Sequence, residues 1–391
     1  MLCIGGLHVH ATDFTSIVDN ILANNPELHA QCLKTDADIK SIASENNFTD
    51  PQLDFSHQWG QNGVGNKWSV GVSQSFEWPG VYTMRARRMD ADSEALRRFD
   101  DVKIVEMRLK ITEALVNLIY QKKLVALNRR MVNRIDSMLT ISNRGLELGD
   151  VSILDVNILR LERIEASRKL SEAITGLTDA LATVNTLNGG CDCTKMIEDL
   201  ADFPATPLHP LESYIESAAI NNPVVRYNNA LDRAETLRIK TIRRSFLPGF
   251  SIGYSHDYEL GDHFNGLNIG LTLPIFSNRK KLPEVEARRL TLQAESDASR
   301  LQTESQITKD YKIVLQLDNE IREYGKILDD NDNMRLLLKA LNAGQISIID
   351  YFDRAAYFLD AHAGYLELQR QRALAIERLS IWNNPAIAAA Q

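Results

Sequence analysis

One seven-residue word occurs twice in this chain. Gly149-Asp150-Val151-Ser152-Ile153-Leu154-Asp155 returns 195 residues later as Gly344-Gln345-Ile346-Ser347-Ile348-Ile349-Asp350. Four positions are identical, and two exchange one branched aliphatic residue for another. Long segments of helical periodicity flank each copy. Glycine just past a helix fits a left-handed C-cap, where a Cβ would clash. Ser152 or Ser347 can then cap the returning helix. Each copy therefore predicts the tip of an antiparallel helical hairpin. The alternative is a chance match, but the rest of the chain repeats in the same order. Asn24-Asn25-Pro26 recurs as Asn221-Asn222-Pro223 at an offset of 197, and that offset holds without a gap to Pro51 and Pro248. In both places an asparagine N-cap precedes proline at the first helical position.

After each of these prolines the period changes from helical to two. Leu53, Phe55, His57 and Trp59 alternate with polar residues, and so do Trp68, Val70, Val72 and Phe76. The second copy is cleaner, with Phe250, Ile252, Tyr254, His256 and Tyr258, then Leu267, Ile269, Leu271, Leu273 and Ile275. These patterns predict two β-hairpins with strands at about 51–60, 67–77, 248–258 and 265–275. Strands of this length cross a bilayer when tilted. The small polar face suits a wet lumen and the aromatic face suits lipid. A sheet packed on other protein is the alternative, and Pro274 would then demand an edge position. Four strands cannot close a membrane barrel, and open edges cannot face lipid. Several chains would have to share one barrel, and three would supply twelve strands.

From Tyr82 to Arg144 there is neither proline nor glycine, and Ile104, Ile111, Leu118, Val125, Val132 and Leu139 recur every seventh place. This is a coiled-coil seam, on a rod of roughly 90–95 Å. The second copy runs from about Glu284 to Asn342, with Ile307, Val314, Ile321 and Leu328 in step. Each tip is followed by a returning helix, through Leu187 and Leu379. Gly189, Gly190 and the stretch to Pro210 break the first return and join the copies.

A net charge of −8 argues against nucleic-acid binding, which needs a basic face. No apolar run reaches 18 residues, so no transmembrane helix is expected. Residues 1–11 read as a signal-peptide remnant cleaved before Thr12, although a basic n-region is lacking. Cys3 has no lipobox around it, and Cys32 stands alone on a helical pattern. Cys191 and Cys193 could hold a soft metal or form a strained disulfide. Without a second ligand pair, a plain loop thiol pair is preferred. No nucleophile–base pair, metal set, P-loop, G-x-G-x-x-G or G-x-S-x-G is present. The expectation is a non-enzyme with no catalytic residue, cofactor or metal ligand.

The order helix, β-hairpin, very long helix, Gly-x-x-Ser-x-x-Asp tip and returning helix, repeated once, resembles the TolC family of outer-membrane efflux proteins. The likeness covers residues 13–383. Leu273-Pro274-Ile275-Phe276 looks like that family's strand-to-helix junction, and Ala86-Arg87-Arg88 and Ala287-Arg288-Arg289 look like its long-helix starts. Phe76-Glu77-Trp78-Pro79-Gly80 is similar to the branch that serves heavy-metal efflux.

The resemblance implies a mainly α fold with a small membrane β part. Long coiled-coil hairpins would form an α-barrel, and four strands per chain would enter a trimeric twelve-stranded barrel. It implies a first repeat at 12–188, an equatorial linker at 189–210, a second repeat at 211–383 and a tail at 384–391. The homotrimer would sit in the outer membrane of a Gram-negative bacterium, with a long periplasmic portion. It would act as a passive duct, joined by a periplasmic adaptor to an inner-membrane pump of the RND type. Metal cations lead slightly as cargo because of the junction after the second strand, with drugs, dyes and other small molecules left open. Family gating acids lie six and nine residues after the second tip glycine, where Asp350 and Asp353 stand. The first repeat keeps Asp155, but Ile158 replaces the second acid. Gly149, Val151, Ser152, Gly344, Ile346 and Ser347 would line the adaptor's docking grooves. Some relatives carry a basic residue where Ile346 stands. The competing reading is a periplasmic coiled-coil scaffold or adaptor without a membrane barrel.

Overall fold

A computed structural model describes residues 14–60, 65–198, 200–274, 280–328 and 333–383. The expected signal remnant, the tail beyond Asn383 and Ile275-Phe276 lie outside them. The chain divides into two compact units, residues 31–102 with 222–302, and the remainder.

The first of these units contains the strands β1 (Gln52–Gln58), β2 (Lys67–Phe76), β3 (Gly249–Glu259) and β4 (Asp262–Thr272). They form one antiparallel sheet in the order β1-β2-β3-β4. β2 pairs with β3 from Lys67 opposite Glu259 to Phe76 opposite Phe250, so the two repeats merge into a single sheet. Strict alternation then sorts the side chains. Leu53, Val72, Tyr254 and Leu267 share one cross-strand row, and Phe76, Phe250 and Leu271 share another. The opposite face carries Ser73, Gly253 and Asn268 in one row and Gly71, Ser255 and Gly266 in the next. The apolar face is bare in this single chain, with Ile269 84% and Leu267 79% exposed.

β4 begins and ends earlier than the apolar alternation suggests. Leu260 (φ 54) and Gly261 (φ 100) make a two-residue turn with both φ positive, which matches the twist of the flanking strands. Glu259 therefore pairs with Asp262 at once. Leu273 and Pro274 were expected on this strand and lie beyond it, because proline has no N–H for the ladder.

The same unit contains most of α2 (Pro26–Ala43), the start of α3 (Pro79–Leu148), α6 (Pro223–Arg244) and the start of α7 (Lys281–Leu328). The repeated Ala-Arg-Arg words tie these helices together. Arg88 donates to Glu45 at 2.7 Å, and Arg289 holds the Asp232 carboxylate with two bonds of 2.8 and 3.0 Å.

The other unit holds α1 (Phe14–Asn24), α4 (Ile153–Leu187), α5 (Leu211–Asn221), α8 (Asn333–Asn342) and α9 (Ile348–Ser380), with the later parts of α3 and α7. α3 has 70 residues, about 105 Å of continuous helix. Ile111 and Leu118 of its seam are fully buried, whereas Ile104 is 37% exposed. Further along, the buried stripe passes to Met131, Ile135 and Met138, as a 3.6-residue helix drifts against a seven-residue repeat. The linker packs rather than dangling. Cys193, Ile197 and Leu200 join a core with Ile111 and Leu118, and Lys122 Nζ donates to the Ile197 carbonyl at 2.6 Å. Cys191 is exposed and Cys193 is buried, and both are free thiols. Among the described residues no helix is long and apolar enough to cross a membrane.

Candidate gate and docking tips

Both tips close with the same backbone device. Gly149 (φ 81) and Gly344 (φ 66) sit in the left-handed region. At the first tip the Gly149 amide donates to the Leu146 carbonyl at 3.1 Å and the Asp150 amide to Gly145 at 2.8 Å. At the second the Gly344 amide donates to Leu341 at 2.9 Å and the Gln345 amide to Ala340 at 2.9 Å. This paired pattern is the Schellman motif, which uses up carbonyls the helix end leaves open. A Cβ on either glycine would meet nothing within 4 Å, so conformation alone selects glycine there.

The two N-caps differ. Ser152 Oγ accepts the Leu154 amide at 3.2 Å. Ser347 Oγ accepts the Asp350 amide at 3.1 Å, and the Ser347 amide returns a bond to Asp350 Oδ2 at 3.2 Å, a full capping box. The Ser347 hydroxyl also donates to that carboxylate at 2.7 Å. The Ser347 hydroxyl, then its backbone N–H, hold the Asp350 carboxyl below the usual carboxylate range. Asp350 therefore works as an ionised cap, and Arg354 nearby acts in the same direction.

Asp350, Asp353, Arg354 and Tyr357 are all exposed and share one face of α9, at intervals of three and four residues. Asp353 and Arg354 also line an open groove of about 570 Å³ with Ile346, Leu337 and Tyr357. The opposite face is anchored by Tyr351, Phe352 and Ala355, which pack with Met131, Ile135 and Met138 of α3 and Leu159 of α4. Burial pushes the Tyr351 phenol up, and Arg134 of α3 pulls it down. Sequence reasoning passed over Tyr351 and Phe352. The signal was present as an aromatic pair directly behind a capping-box acid.

Ile346 and Ile348 pack at the edge of that same core, while Val151 lies over Gly145, where a Cβ would stand 2.5 Å from its Cγ2. Of the eight residues expected to act at the tips, seven therefore shape or cap the turns, and one of these, Asp350, shares an exposed face with Asp353.

No protein-family model matches the sequence, and no curated protein matches it. Solved structures do match. The chain is similar to a membrane protein from Pseudomonas aeruginosa at 15% identity, over 94% of this chain and 92% of that one, with TM-score 0.73. It is similar to the MtrE outer membrane channel of Neisseria gonorrhoeae in its open state, at 15% identity, 95% and 88% coverage and TM-score 0.71. It is similar to CusC, whose structures concern transmembrane channel formation, at 14% identity, 96% and 95% coverage and TM-score 0.66. The chain has the fold of the TolC family.

Proposed function

We propose that this protein is a TolC-family outer-membrane channel that serves as a passive efflux duct. The sheet is the observation that carries the reading. Among the described residues it has four antiparallel strands, an exposed apolar face, a small polar face and unpaired edges at β1 and β4. Such edges cannot face lipid, so a spanning sheet must join copies of itself. Three chains bring twelve strands, which leaves room for an aqueous lumen lined by the serine and glycine face. The structural likeness to MtrE and CusC supports the same reading.

In this trimer the α9 faces would meet around the tunnel mouth. Each chain would contribute Asp350 and Asp353, tempered by Arg354. Crowded carboxylates attract cations, so the ring would favour cation entry. The tips around Gly149, Val151, Ser152, Gly344, Ile346 and Ser347 would dock the hairpins of a periplasmic adaptor. The adaptor would in turn join an RND-type inner-membrane pump. Metal cations are the proposed cargo, on the strength of the Phe76–Gly80 junction. The scaffold alternative has no account of an apolar sheet face left bare.

The decisive measurement is the mass of membrane-extracted protein in mild detergent. Three chains of 44.0 kDa should elute as a particle near 132 kDa after the micelle is subtracted. A monomer soluble without detergent would end the duct reading. With trimers in hand, Asp350→Ala with Asp353→Ala should reduce cation preference in a planar bilayer, and unchanged selectivity would remove both residues from the gate.

A further inference from the structure

Two imidazoles on the apolar face of the sheet meet in a way that a channel wall does not require. His256 of β3 and His263 of β4 lie near the Leu260-Gly261 turn. In register, His256 faces Asn265 and His263 faces Tyr258, so the two rings meet on the cross-strand diagonal. His256 Nε2 stands 3.2 Å from His263 Nδ1. On its other side His256 Nδ1 lies 2.7 Å from Asn265 Oδ1, which also accepts the Tyr254 hydroxyl at 2.7 Å. An amide oxygen can only accept. His256 therefore keeps its proton on Nδ1 and presents a lone pair at Nε2, toward which His263 Nδ1 donates. Metal-binding histidines are oriented in this manner, with the far nitrogen donating to a fixed oxygen and the near one ligating.

We propose that His256 and His263 form a two-histidine site for a divalent first-row transition metal ion. Two nitrogens bound to one ion at about 2.0–2.1 Å stand about 2.9–3.4 Å apart for bond angles between square and tetrahedral. The observed 3.2 Å lies inside that window. On binding, His263 carries its ring proton on Nε2 instead of Nδ1, so both facing nitrogens present lone pairs. The ion takes the place of the imidazole–imidazole hydrogen bond. It sits off the line between the nitrogens after each ring turns about its Cβ–Cγ bond. At the turn end of the hairpin, where the sheet meets water, water fills the remaining positions, because no group of three or more metal-ligating side chains forms among the described residues. Copper(II) should bind best in a nitrogen-rich site of this kind. The site needs only the β3–β4 hairpin and stands apart from the channel reading.

Copper(II) titration of the purified full-length protein tests this, read by calorimetry and by electron paramagnetic resonance. The expected result is one ion per chain with two equatorial imidazole nitrogens in the spectrum. His256→Ala and His263→Ala should each weaken binding at least tenfold. His57→Ala, on the same face but paired with Trp68, should leave it unchanged. Asn265→Leu should weaken it several-fold while keeping both ligands. Unchanged elution of each variant shows that the fold is retained. Affinity and spectrum unaltered in the His256→Ala/His263→Ala double variant would overturn the site, and so would a one-nitrogen spectrum in the unmodified protein.

Discussion

The two tips share a backbone and differ in chemistry. Each ends a helix with a positive-φ glycine and starts the next with a serine cap. Beyond the cap the equivalent positions diverge. Val156, Asn157, Ile158 and Leu159 stand in the first copy where Tyr351, Phe352, Asp353 and Arg354 stand in the second. The first tip sends Val156 and Leu159 inward, both fully buried. The second buries an aromatic pair and turns an acid and a base outward. The cap is thus a constraint that both copies must satisfy, and the turn of helix behind it is free to specialise. Ser347 with Asp350 makes the second cap the tighter of the two, at the place where the proposed gate would need a fixed carboxylate.

Tyr351→Ala should separate the copies most strongly. It empties a fully buried aromatic site shared by both hairpins and should cost about 3–5 kcal/mol, read as a large fall in the thermal midpoint. A fall no greater than that of Val156→Ala would mean that the aromatic anchor gives the second tip no special hold. Gly145→Ala comes next. Its Cβ would press on Val151, whereas the second copy already has Ala340 there, so about 1–3 kcal/mol should be lost at the first tip alone. Full tolerance in a melting curve would show that Val151 simply moves aside.

Ser347→Ala and Ser152→Ala should cost different amounts within the range of about 0.5–2 kcal/mol for lost caps. Ser347 should lie higher, because its removal breaks a reciprocal box and not a single bond. Equal losses in hydrogen-exchange protection at the two tips would show that the returning bond from the Ser347 amide adds nothing. The smallest effect is pH dependence. Asp350 is held below its unfolded value, so its contribution is present above the ordinary carboxylate range and disappears as pH falls through its folded value. Protection factors at residues 345–350 should therefore fall in acid, and Asp350→Asn should remove that response. Persistence of the response in the variant would assign it to another group.

Much of this molecule was legible one element at a time. Period two marked β2 from Trp68 to Phe76, and the heptad through Ile111 and Leu118 marked a helix that is buried at those positions. Glycine after a helix followed by serine marked the tips, because a left-handed cap is decided by local sterics. Boundaries were less legible where two local rules met. The alternation carried on through Leu273, but Pro274 and the turn at Leu260-Gly261 shifted β4 back to Asp262–Thr272.

Strand, helix and turn follow from the order of residues along the chain, since those depend on neighbours within a few residues. The partners of each element emerge only once the chain is folded. Joining β2 to β3 brings Lys67 against Glu259 at 2.9 Å, and no local period records a contact over 192 residues. The diagonal meeting of His256 and His263 depends on a register set by one two-residue turn. Asp350 is an exposed acid in the sequence and becomes a committed cap only because the Ser347 backbone turns its N–H back toward it. Local preference is written in the side chains, whereas pairing follows from where three-dimensional closure brings them.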